Sequence, residues 1–305
     1  MKQRTKNIIL FVFFAYLFGW LIQIIPLMLG APAGIYRAAQ ILTMWTPALA
    51  FFITRMLSKK EAHLYASLRP KIDGHVPHYL FAWFCAGVFA IAGTALYYLA
   101  FRNELDLTLS YINELTRQAG GGADLPVPPV VIVFAQFASA FTFGNAVNMF
   151  FALGEEIGWR GFLYPALYEA FRGKEEARSA PAAWKAHLLT AFIWSFWHFP
   201  MNTLTGYNYG TSYPGFPVTG ALAMFVMCFA VGVLQSVLVE KTGSIWPAAI
   251  LHGAFNALAG FGIMLQHTDY MNGAHTIWGP GLNGMLSALP MLAVAVFLLK
   301  RTKSN

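Results

Sequence analysis

Charge is scarce in this 305-residue chain. Asp, Glu, Lys and Arg make up 11% of it, against about 25% in soluble domains. With 57% hydrophobic residues and a mean hydropathy of +0.54, that deficit excludes an ordinary water-soluble domain. Cysteine is nearly missing as well. Cys85 and Cys228 both lie in apolar runs, which excludes a disulfide framework and a Cys-x-x-Cys metal site. There is no Gly-rich phosphate loop, no Gly-x-Ser-x-Gly elbow and no His-Glu-x-x-His zinc signature. No polar block is long enough to fold apart, so residues 1–305 are expected to form a single polytopic membrane domain.

What abounds is apolar sequence in long runs. A helix crosses the hydrocarbon core with about 20 such residues. Runs at 8–29, 38–57, 78–101, 130–168, 186–204, 217–239, 245–265 and 282–299 qualify or nearly do. The expected fold is therefore an all-α integral membrane protein, a bundle of about eight transmembrane helices. The first run is too long for a signal-peptide core. The fourth exceeds one crossing, so a break is expected near Phe143–Asn148. Of 20 Lys and Arg residues, only Arg37, Arg102 and Arg117 fall on one side of this arrangement, leaving 17 on the other, or 16 without Arg160, which lies inside a run. By the positive-inside rule both termini are cytoplasmic, and a plasma (inner) membrane is expected. The net charge of +7 then reports topology, and no nucleic-acid partner is implied.

Between the runs, 103–128 reads as an outer connection with one amphipathic helix. Glu104, Asp106, Glu114 and Asp124 read as its solvated face. The tyrosines of "TGYNYGTSYPGFP" read as an aromatic belt. His63, His75, His78 and His187 fall in or beside inner loops, where solvated roles are expected. His267, Asp269 and His275 share an outer loop and are a minor metal candidate.

Three polar insertions interrupt the later runs. "EEIGWR" places Glu155, Glu156 and Arg160 inside an apolar helix, where each charge costs roughly 2.5–3.5 kcal/mol. Glu156 and Arg160 are four apart with the acid first, so they pair. Glu155 points about 100° away and needs a partner from another helix. "WSFWH" carries His198, four residues after Trp194. "HGAFN" puts His252 and Asn256 on one helix face. Counted from the inner boundaries, Glu155, His198 and His252 lie at depths of about 24, 17 and 12 Å, in loose agreement. Gly154 and Gly158 form a small-residue face that permits close helix approach.

A carboxylate beside a neutral imidazole can hold and deprotonate water. An imidazole and an amide on one face can donate to a developing oxyanion. That equipment suits water attack on an amide carbonyl. Alternatively, Glu155, His198 and His252 could ligate Zn²⁺. A proton-coupled transporter is the reading from another class, since intramembrane Glu, Arg and His also mark ion pathways. All the insertions fall after residue 150, however, without the counterpart in the first half that a repeat-built transporter shows. A non-catalytic scaffold on the same fold is a third reading.

The three clusters, in this order, resemble the Glu-Glu-x-x-x-Arg, Phe-x-x-x-His and His-x-x-x-Asn motifs of the type II CAAX prenyl protease family, within the wider CPBP (CAAX protease and bacteriocin-processing) group. Gly161 after the arginine is also typical, and the motif helices cover roughly 143–265. Trp194 stands where the family usually has Phe, a departure expected to alter pocket shape. The resemblance implies an eight-helix intramembrane endopeptidase with a cavity open to the cytoplasmic side. It implies that Glu155 activates water with help from His198, that His252 and Asn256 form the oxyanion site, and that Glu156 and Arg160 support them. The implied partner is a membrane-bound or lipidated peptide, CAAX-type if prenylated. No cofactor is expected, with zinc as the alternative; Asn is a poor zinc ligand and a good oxyanion donor.

Overall fold

A computed structural model describes residues 2–119, 127–173, 179–271 and 273–301. Asp124 lies outside them. The described residues form helices joined by turns, without strands beyond two isolated bridges. Four helices are long and apolar enough to cross a membrane: α1 (Lys2–Met28), α4 (Val76–Ala100), α11 (Val218–Thr242) and the stretch Trp246–Leu265, whose first part is α12 (Trp246–Leu258). A bent pair, α6 (Pro129–Ser139) with Phe143–Arg172, makes a fifth candidate. The chain is thus a multi-pass membrane protein.

α1 shows why the sequence reads as membrane rather than merely hydrophobic. Ile8, Phe11, Ala15, Gly19 and Gln23 recur at helical spacing and are buried. Ile9, Phe13, Leu17, Leu21 and Ile25 form the opposite face and are exposed. Both faces are apolar, as expected when one packs on protein and the other on lipid. α11 is buried over most of its length and takes the centre.

Several sequence runs are interrupted, for local reasons. Residues 38–57 split into α2 (Ala33–Thr43) and α3 (Thr46–Leu57), with Pro47 in the first turn of α3. The fourth run breaks at Ala140–Thr142, just before the expected 143–148, with a 45° bend between α6 and the helical stretch Phe143–Arg172. There the Thr142 hydroxyl donates to the Ala138 carbonyl at 3.1 Å. α7 (Phe143–Gly158) then runs through a π-helical turn, Trp159–Leu163, into α8 (Tyr164–Arg172). Pro165 explains the looser turn, because it offers no N–H to Gly161 and its ring crowds that carbonyl. The Gly161 carbonyl instead accepts from the Tyr65 N–H at 2.9 Å. α9 (Ala180–Trp197) stops short of Pro200 and is followed by α10 (Phe199–Thr205). The last run becomes helical only at α13 (Leu289–Arg301).

The small-residue face works as expected. A Cβ at Gly154 would lie 2.7 Å from the Met44 carbonyl oxygen, and one at Gly158 2.5 Å from Pro47 Cβ. The junction of α2 and α3 therefore sits directly on α7. The amphipathic helix expected in the connection 103–128 is α5 (Ser110–Ala119).

Some surface expectations are overturned. Glu104 and Asp106 are buried, as is His187, which stacks on Tyr164 at 4.2 Å. Glu104 accepts hydrogen bonds from Tyr97 and Gln266 and pairs with His275, while Asp106 accepts from the Ser110 and Thr108 N–H groups. Two tyrosines of the aromatic loop, Tyr209 and Tyr213, turn inward; only Tyr207 is well exposed. Tyr209 donates to the Asn283 carbonyl at 3.0 Å, which ties its loop to 273–288 instead of to the interface. Cys85 and Cys228 are free and buried, in line with their apolar settings.

Candidate active site

Glu155 and Glu156 sit at the end of α7, and their neighbours differ sharply. Glu156 faces inward between α11 and α12. Its Oε1 accepts from Arg160 Nη1 at 3.2 Å, Gln235 Nε2 at 3.1 Å and His252 Nδ1 at 2.7 Å. The pairing with Arg160 read from their spacing is present. Arg160 also lies over the Trp194 ring, 4.1 Å from its centroid. Glu156, Arg160 and Gln235 are all essentially inaccessible. A buried pair of this kind stabilises little by itself, but removing one partner strands the other.

Glu155 does have a partner in its own helix, contrary to expectation. Trp159, one turn on, donates its indole N–H to Glu155 Oε2 at 3.1 Å. Trp194 donates to the same oxygen at 2.7 Å. The Trp-for-Phe departure therefore brings a hydrogen-bond donor as well as a different shape. The other oxygen, Oε1, lies 4.0 Å from His252 Nε2. Two indoles orient the carboxylate and leave one oxygen turned toward an imidazole nitrogen.

The two histidines are oriented by their own elements. At the end of α9, the His198 backbone N–H bonds the Ser195 carbonyl, which leaves the Trp194 carbonyl for the His198 ring. Nδ1 lies 2.9 Å from that oxygen. A carbonyl only accepts, so Nδ1 carries the proton and Nε2 is the free nitrogen of the neutral ring. The break ahead of Pro200 thus sets the ring. His252 Nδ1 likewise donates to Glu156, which fixes its tautomer and leaves Nε2 toward Glu155.

Glu155, Trp194, His198, His252 and Asn256 line a single cavity of about 210 Å³. The loose agreement of the counted depths is thereby resolved for Glu155 and His252. His198 and Asn256 share the cavity without a direct hydrogen bond to Glu155 among the described residues. Trp159 and Gln235 escaped the sequence reading, although signals existed. Trp159 is four residues after Glu155, and Gln235 interrupts an apolar helix.

Among the described residues, no group of three or more His, Cys, Asp and Glu side chains is gathered to hold a metal, the outer loop with His267, Asp269 and His275 included. In the cavity, Glu155 Oε2 and Nδ1 of each histidine are committed within the protein, which leaves Glu155 Oε1 and the two Nε2 atoms to face the cavity.

Residues 133–258 match the family described as Type II CAAX prenyl endopeptidase Rce1-like. Comparison with curated proteins finds no match. The matched stretch runs from α6 through α12 and contains every polar group that lines the floor of the cavity. Residues 133–258 thus form a domain of the Rce1-like type II CAAX prenyl endopeptidase family, a family of proteases.

Proposed function

We propose that this protein is an intramembrane endopeptidase that hydrolyses a peptide bond of a membrane-bound or lipidated substrate, with water activated by Glu155. The observation that carries the reading is the 4.0 Å gap between Glu155 Oε1 and His252 Nε2, at the floor of the cavity that His198 and Asn256 also line. A water oxygen bridging such a gap is within reach of both groups.

In this reading, Glu155 takes a proton from the water as its oxygen bonds to the scissile carbonyl carbon. Trp159 and Trp194 hold the carboxylate in place without neutralising it. The carbonyl oxygen becomes an oxyanion, stabilised by the Asn256 amide and by His252 when both of its ring nitrogens carry protons. His198 Nε2 assists the proton on its way. Collapse breaks the carbon–nitrogen bond, and the proton held by Glu155 passes to the leaving amine. Glu156 and Arg160 act through His252 and Trp194 as positioning residues. No step needs a metal, so cleavage by the purified protein is expected to persist in chelator. A lasting loss that zinc restores would favour the metal version.

The same proposal includes the topology. Where the four long helices end, α2 with α3, the bent α6–α8 segment, α9 with α10, and α13 supply four further passes between them. Eight crossings, one polytopic domain and both termini on the cytoplasmic side of a plasma membrane follow from that alternation and from the charge bias. Reporter fusions after each helix test it.

A further inference from the structure

The family match begins at residue 133, so it says nothing of α2. Yet α2 supplies one wall of the cavity over Glu155. Gln40, Ile41 and Thr43 line it, together with Met44 at the end of the helix. That wall is pressed against the helix that carries Glu155. A Cβ at Gly154, the residue before it, would lie 2.7 Å from the Met44 carbonyl oxygen. Gln40 stands one helical turn from Met44. On α7, Asn148 stands two turns from Glu155 and shares its face.

Besides Asn256, four carboxamides line the cavity, and three of them are held within the protein. Asn148 Nδ2 donates to the Gly144 carbonyl at 2.8 Å, Asn208 Nδ2 to Asn202 Oδ1 at 2.7 Å, and Asn283 Nδ2 to Asn208 Oδ1 at 3.1 Å. Gln40 is the exception. It is 5% exposed, and neither Oε1 nor Nε2 has a partner among the described residues. A buried amide with both atoms unpaired weakens a fold, and an apolar side chain of similar length would pack there without that penalty.

The missing partners have a natural source. In an extended chain the N–H and C=O of one residue point to the same edge, and a neighbouring strand answers with one acceptor and one donor. A carboxamide presents that acceptor and donor on a single side chain. Resting on the protease reading above, we propose that Gln40 is a substrate-binding residue, whose amide pairs with the N–H and C=O of one peptide residue beside the scissile bond. Turning about its own side-chain bonds brings the amide against a peptide in the cavity that Gln40 already lines. The substrate is then held extended and is recognised at this point by its backbone, whatever its side chain. Because the α2 wall abuts Gly154, the contact also sets where the scissile carbonyl stands relative to Glu155.

The test uses the full chain in micelles and an internally quenched peptide with a CAAX C-terminus, with and without a farnesyl group on its cysteine. Gln40→Met removes the amide and keeps the length of the side chain. It is expected to unfold at the parental temperature or above, because an unpaired buried amide is gone. Its kcat/KM is expected to fall roughly 10-fold, mostly through KM. A lower unfolding temperature, or failure to fold, shows that the amide serves the fold and overturns the proposal; so does a parental kcat/KM. A second arm changes the peptide instead. Ester bonds replace its backbone amides one at a time, the cleaved amide excepted, each removing one N–H. One ester is expected to lower the kcat/KM of the parent roughly 2- to 10-fold and to have no effect in Gln40→Met. No loss with any ester, or equal losses in both proteins, overturns the proposal. If the parent leaves both forms of the peptide intact, the protease reading falls and this inference with it. If the parent cleaves and the Gln40 amide makes no difference, only this inference falls.

Discussion

Two buried glutamates each hold a histidine, and they do so at different places in the protein. Glu104 joins His275 at 2.5 Å in an outlying cluster away from the cavity, and Glu156 joins His252 at 2.7 Å within the bundle. The outer cluster is closed upon itself. Tyr97 and Gln266 satisfy one oxygen of Glu104, His275 takes the other, and the ring stacks on Phe101. The inner cluster is open. Glu156 Oε2, Gln235 Oε1 and two nitrogens of Arg160 are buried without partners among the described residues, and neighbouring Glu155 turns an oxygen to the cavity. Satisfied networks rigidify a fold. Unpaired buried polar groups and an oriented free carboxylate are costly for stability, and they mark chemistry.

The sharpest way to break the contrast is to strip the inner cluster of its cation. Arg160→Met leaves Glu156 buried beside only neutral donors and is expected to destabilise by about 3–5 kcal/mol, with cleavage lost. Thermal unfolding in micelles measures the first part. Trp194→Phe is milder. It removes the 2.7 Å donor to Glu155 while keeping an aromatic ring. Turnover is expected to fall about 10- to 150-fold, the rate equivalent of ~1.5–3 kcal/mol for a hydrogen bond to a charged group, with unfolding little changed. Glu104→Gln should do the opposite, costing about 1–3 kcal/mol of stability and leaving turnover of the surviving protein unaltered.

The smallest effect is at Asp106. Burial raises its carboxyl, but hydrogen bonds from Ser110 and Thr108 outweigh this and hold it below the usual carboxylate range. A depressed folded value means that the stabilisation is present above the unfolded value, about 3.9, and fades as pH falls below it. Asp106→Asn is expected to lose about 1 kcal/mol near neutrality and to flatten that acid limb in unfolding curves.

The comparison also separates what the sequence could reveal from what it could not. Within one helix, spacing suffices. Glu156 with Arg160, Glu155 with Trp159, and His252 with Asn256 are each four apart, so their shared faces follow from helical geometry. Glu104 and His275 are 171 residues apart in the chain, and nothing local announces their meeting. Glu104 consequently reads as solvated when it is buried. Depths counted from loop ends agree only loosely, because the π turn at Trp159–Leu163 and the break at His198 disrupt the uniform rise that the count assumes. Those interruptions come from Pro165 and Pro200, which are visible in the sequence; how the helices are redirected there is set by tertiary partners. The lining of the cavity was illegible for the same reason, since Gln40, Tyr207 and Asn283 converge only in three dimensions.

The central claim is that Glu155 is the base that activates water. Purified Glu155→Gln protein keeps an amide in the same place, so its unfolding profile should match that of the parent. The account predicts no detectable peptide cleavage by this folded variant; cleavage at the parental rate would contradict it.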